Sequence, residues 1–168
     1  MINKENFENQ IFKTKGIIEF PENKYLNRVP QEWRPSQNTS INSLQLRNEL
    51  YNVASEKWYN YKETSKRNIS FYDFIDLNCR IPEDTFKKAM NKKYNITRNF
   101  LSKFSVGLKL SFEESNGLFK LHSGELNLTN DFDFVVYHAL KTSDEIDYFI
   151  EETEKYTGVK LYNDKAKI

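Results

Sequence analysis

Past residue 43 the apolar positions recur at three- and four-residue steps. Leu44, Leu46, Leu50, Tyr51, Val53, Ala54, Trp58 and Tyr61 fall largely on one side of a helix over about 43–64. Ser70 predicts an N-cap, with Asp73 three residues on, and Phe71, Phe74, Ile75 and Cys79 give the following helix its apolar face until near Asn78. Pro82 suits the first position of a third helix, and Glu83 and Asp84 suit its positive end. Phe86, Ala89 and Met90 bury one side of that helix; Lys87, Lys88, Asn91 and Lys92 stand on the other. Asn95 or Thr97 caps a fourth helix, with Phe100, Leu101, Phe104, Val106 and Leu108 inward. Ser111 opens a fifth, which buries Phe112, Leu118, Phe119 and Leu121. Amphipathic stretches over 132–140 and 144–156 add a helical pair, the last ended by Gly158. Residues 1–40 hold Pro21, Pro30 and Pro35 between short apolar pieces and read as an extended arm, with one strand at 16–20 and with Leu26, Val29 and Trp33 pinning it to the body. The expectation is a mostly α protein, with residues 41–168 as its helical domain.

Composition narrows this picture. A chain of 168 residues, 38% hydrophobic and 15% aromatic, supports one main domain with a small core of Phe, Tyr and Leu. It has no 18-residue apolar window and no apolar leader run, so neither membrane insertion nor export is expected and the cytoplasm is the default location. Cys79 is the single cysteine, and His122 and His138 lie far apart, which argues against a disulfide, a metal site or another cofactor. The net charge of +1 conceals a dipole. Residues 66–103 carry nine Lys/Arg against four Asp/Glu, and residues 111–168 carry six against twelve. A basic middle suits a polyanion, and an acidic end suits a solvated face or a protein contact.

The segment IPEDTFKKAMNKKYNITRNFLSKFSVGLKLSFEE, residues 81–114, resembles the Xre-type, lambda-repressor-like helix-turn-helix fold. Residues 106–140 are similar to an extended version of that fold common in Firmicutes, so the resemblance covers about 69–140. It implies a five-helix unit with its helix-turn-helix core at about 69–122. Ile81 would fill the buried aliphatic position of the turn, Thr85 and Phe86 the middle of the recognition helix, and Asn91 its end. Leu101, Phe104 and Leu108 would take the core positions of the fourth helix. The chain departs from the pattern at Phe71-Tyr72, where Thr-Gln is common, and at Asp76, where a small residue usually sits. It departs again at Glu83 and Asp84, where the leading edge usually meets bases.

On this resemblance the expected function is DNA binding, as a transcriptional regulator acting on double-stranded DNA as a homodimer. Thr85, Lys88 and Asn91, spaced by three, are the candidates for base edges. Arg80, Lys87, Lys92, Lys93 and Arg98 are the candidates for phosphates. The bland alternative for this row is a solvated helix face. The rival function is a protein-binding module on the same scaffold, such as a phage or mobile-element inhibitor of a host protein, suggested by the two acids and the acidic tail. Trp58, Tyr59 and Tyr61 read as core packing first and as stacking groups for single-stranded bases second. The two histidines lack the neighbours that build a catalytic site and read as surface or capping residues, so no enzyme is expected. The acids Asp144, Glu145, Asp147, Glu151, Glu152 and Glu154 lack calcium-loop spacing and read as a wet helix face. Cys79 reads as a small buried residue.

Overall fold

Local chemistry decides where each helix begins. The computed structural model describes residues 33–91 and 95–161, with residues 33–42 described by backbone alone. Within them lie α1 (Trp33–Ser65), α2 (Phe71–Cys79), α3 (Glu83–Met90), α4 (Arg98–Gly107), α5 (Phe112–His122), α6 (Asp131–Thr142) and α7 (Ile146–Thr157), and no strand. The Ser70 hydroxyl accepts from Asp73 N at 3.2 Å at the head of α2, and Thr97 Oγ1 accepts from Phe100 N at 3.0 Å at the head of α4. Ser111 and Glu114 form a reciprocal capping box on α5. Asn130 caps α6. Gly158, at φ 77, ends α7 in the left-handed conformation that favours glycine. Pro82 stands one place earlier than predicted, at the cap of α3, with φ −62 already helical and ψ 152 still extended.

The first helix departs further from expectation. It begins at Trp33, so residues 33–40, expected in the extended arm, are helical. Pro35 falls in its first turn, where a missing N–H breaks no bond. The strand expected at 16–20 and the rest of the arm lie outside the described residues. The buried stripe of α1 is Leu46, Leu50 and Ala54, while Leu44 and Tyr51, expected on the apolar side, are about half exposed.

Helix α4 is the centre of the molecule. It packs against α2, α5, α6 and α7, and every residue from Phe100 to Gly107 is buried, including Ser102, Lys103 and Ser105. A helix covered on all sides belongs to a core, not to a surface. Lys103 reaches along this interior to donate to Leu161 O at 3.3 Å. Where α4 meets the end of α2 the backbones nearly touch: a Cβ on Gly107 would lie 2.4 Å from Asn78 O and 2.6 Å from Cys79 Cα. Six phenylalanines, at 86, 100, 104, 119, 134 and 149, are fully buried. Each contributes about 1.5–3 kcal/mol, so emptying one site removes a sizeable part of the roughly 5–15 kcal/mol that holds a domain folded.

Aromatic contacts run from the outer helices to that centre. Trp58 meets Phe71 edge-on at 5.6 Å, Phe71 meets Phe86 at 5.6 Å, Phe86 stacks near Phe100 at 6.2 Å, and Phe100 stacks near Phe104 at 6.5 Å. The Trp58 indole N–H donates to Ile69 O at 2.8 Å, satisfying the polar edge of a half-buried ring. No helix among the described residues is long and apolar enough to cross a membrane.

Candidate nucleic-acid interface

Helices α2 and α3 are joined by Arg80, Ile81 and Pro82 alone. Arg80 takes the left-handed conformation at φ 56, and its N–H bonds to Asp76 O at 2.9 Å, which closes α2 and turns the chain sharply. Ile81 is 1% exposed and plugs the inside of the turn, where the resemblance places it. From there α3 sinks Thr85, Phe86 and Ala89 into the core. Its far end is held from another element: Arg47 of α1 donates Nε–H to Ala89 O at 2.8 Å and bonds back to Ser43. A cation on the last carbonyls of a helix satisfies open acceptors and opposes the negative end of the dipole. Arg47 carries no motif, and only its place on α1 opposite α3 reveals this role.

Thr85 is corrected by burial. At 6% exposure it belongs to the inner face, and it cannot meet a base edge while α3 stays packed. The outward face comprises Glu83, Asp84, Lys87 and Asn91, with Lys88 half-buried beside them. Its cations are already engaged. Lys87 Nζ lies 2.6 Å from Glu83 and 4.9 Å from the Tyr72 ring centroid, and Lys88 Nζ lies 3.0 Å from Asp84. The Glu83 carboxylate raises the Lys87 ammonium above the ordinary lysine value. Asn91 closes α3 with its N–H on Lys87 O at 2.9 Å and is exposed.

Arg80 points toward the acidic end of the chain and forms a two-pronged bond to Asp147 of α7, at 2.9 and 2.8 Å. The fork raises the guanidinium pKa and holds the Asp147 carboxyl below its usual range. Both partners are about half exposed or more, so the pair is worth about 0–1 kcal/mol and can exchange with another anion.

Arg98 is corrected more firmly. Nη2 sits 2.7 Å from Asp133 Oδ2, Nη1 donates to Ser123 Oγ at 2.7 Å and Gly124 O at 2.9 Å, and the guanidinium lies 4.8 Å from the Phe119 ring centroid. Asp133 is buried and also accepts from Asn127 N at 2.9 Å. Arg98 therefore fastens the loop before α6 to the head of α4, and its guanidinium is committed there and not to phosphate. Lys92 and Lys93 lie outside the described residues.

The remaining expectations divide. His122 donates Nε2–H to Ile96 O, and its Nδ1 lies 2.7 Å from Ser123 Oγ, a capping role as expected. Burial, and then the nearby Arg98, push its pKa down. The Cys79 thiol is fully buried, and burial pushes its pKa up, which makes it an inert small residue. Trp58 and Tyr61 pack against Phe71 and Phe74, but Tyr59 is 60% exposed. Glu152, expected on a wet face, is 5% exposed because α7 turns it inward together with Thr153. No group of three or more metal-ligating side chains occurs among the described residues. No family model matches the chain, and neither a curated protein nor a solved structure matches it.

Proposed function

We propose that the chain is a DNA-binding helix-turn-helix protein of the Xre-like kind, with α3 directed into a major groove and a transcriptional role. The observation that carries this reading is the α2–α3 corner. It consists of a capped helix, a three-residue turn that opens on left-handed Arg80 and is plugged by Ile81, and a short helix whose inner side is Thr85, Phe86 and Ala89. Lys88 and Asn91 face the bases in this reading, and Lys87 and Arg80 exchange their exposed carboxylate partners for phosphates. Such exchange costs little, since exposed pairs are weak. A homodimer on double-stranded DNA is part of the proposal, because one helix of this length spans few base pairs. In this reading the protein acts by binding; Cys79 is sealed in the core, and His122 is engaged by the loop it caps.

Glu83 and Asp84 oppose a polyanion. Replacing both, Glu83→Gln with Asp84→Asn, should strengthen binding to a random-sequence duplex. It should also steepen the plot of log affinity against log salt by about 1, as the freed Lys87 neutralises a phosphate and displaces a counterion. Lys87→Glu with Lys88→Glu should abolish binding, and a variant that still binds duplex unchanged would refute the groove assignment. The neutralised face of α3, together with the Arg80–Asp147 fork, favours one second reading, a module that binds a host protein through the same face. In that case the Gln/Asn variant weakens the partner and leaves duplex binding absent.

A further inference from the structure

A different corner of the molecule holds cations that form no ion pair among the described residues. Where α1 ends, Tyr59, Lys62, Glu63, Lys66, Arg67 and Asn68 line an open cleft of about 360 Å³, at the small end of the roughly 300–1,000 Å³ typical of small-ligand sites. Lys66 takes the left-handed conformation at φ 58 and closes the helix with its N–H on Lys62 O at 3.1 Å. Helix ends ordinarily place Gly or Asn at such a position; a lysine here adds a charge to the cleft. Lys62 lies 3.6 Å from the Trp58 ring centroid and 5.6 Å from that of Tyr59. Neither Lys66 nor Arg67 pairs with a carboxylate among the described residues, in contrast to Arg80, Lys87, Lys88 and Arg98. Glu63 and the negative end of the α1 dipole oppose an anion, and three cations outweigh them.

Tyr59 supplies the second half of the chemistry. It is the most exposed large apolar side chain in the described part of the molecule, at 60%, and it stands beside these cations. An accessible aromatic face next to clustered positive charge matches a nucleotide, whose base stacks while its phosphate is neutralised. In a duplex the base faces are covered by their neighbours, so the match is to an unstacked base.

We propose that this cleft binds a nucleotide unit of single-stranded nucleic acid, with the base on Tyr59 and the phosphate between Lys66 and Arg67. The site is separate from α3 and does not depend on the groove reading.

The test uses the full chain with fluorescein-labelled dT15, an abasic oligomer of the same length and charge, and AMP, all followed by fluorescence anisotropy. Tyr59→Ala should weaken dT15 binding at least about fivefold, and the abasic oligomer should bind more weakly than dT15 by a similar factor. Tyr59→Phe should retain binding. Lys66→Glu with Arg67→Glu should abolish it, whereas Lys87→Glu with Lys88→Glu should leave it intact. The substituted residues are exposed apart from half-buried Lys88, so unchanged circular dichroism melts are expected and confirm folding. Displacement of dT15 by millimolar AMP assigns the site to free nucleotides, and persistence of dT15 assigns it to strands. Absence of dT15 binding, equal binding of the abasic oligomer, or indifference to Tyr59→Ala overturns the proposal. Loss of dT15 binding on reversal of Lys87 and Lys88 alone overturns it too, and leaves the groove reading standing.

Discussion

Arg98→Met separates a structural cation from a nucleic-acid contact. Asp133 lies at the head of α6 with its side chain 7% exposed, and Arg98, 27% exposed, is its only cationic partner among the described residues. Breaking a buried pair from one side costs about 3–5 kcal/mol, because the orphaned charge stays desolvated. Three features reduce that figure here: Arg98 is partly wet, Asn127 N–H still donates to the same oxygen, and the first turn of α6 favours a carboxylate. The expected loss is about 2–3 kcal/mol, which for a chain of this size lowers Tm by about 5–10 °C. Urea unfolding followed by tryptophan fluorescence measures it, since Trp58 is half-buried against Phe71. Adding Asp133→Asn should recover at least about 1 kcal/mol relative to the sum of the two single losses. A loss under about 0.5 kcal/mol combined with weakened DNA binding would refute this reasoning and return Arg98 to the phosphate row.

Two further outcomes are expected. Gly107→Ala forces a methyl into Asn78 O and the Cys79 backbone, so α2 and α4 must part and stability should fall by about 1–3 kcal/mol or more; an unchanged denaturation midpoint contradicts the close approach. The pKa of His122 is depressed in the folded state, mainly by burial, and Arg98 on α4 is the charge that faces it. Its contribution is therefore present above the unfolded value near 6.5 and declines as pH falls through that value toward the folded one. His122→Gln should flatten stability between pH 7 and 5, and an unaltered slope shows that another group carries it.

What could be read in advance was what neighbours in sequence decide. Ser70, Thr97, Ser111 and Gly158 sit at the helix ends they were expected to mark, because a cap needs only residues within a turn. Phe100, Leu101 and Phe104 were assigned inward by spacing, and they are buried. Spacing failed where a third element decides the matter. Thr85 has the period of an outward residue only if one face of α3 is covered, and α3 packs against both α1 and α2. Glu152 looked wet because its neighbours are acidic, yet α7 rests on α6 and α4. The Arg80–Asp147 and Arg47–Ala89 bonds join residues 67 and 42 apart, and no local pattern announces either.

The ring-to-ring line from Trp58 to Phe104 determines how α3 may vary. Turning α3 by one residue swings every side chain about 100°, and Phe86 could not follow without displacing Phe71 on one side and Phe100 on the other. The angle at which this short cylinder is presented is thus dictated from the interior. Its outer letters, Glu83, Asp84, Lys87 and Asn91, are exposed on the opposite side. They can be rewritten to suit a new target while the scaffold beneath keeps its shape.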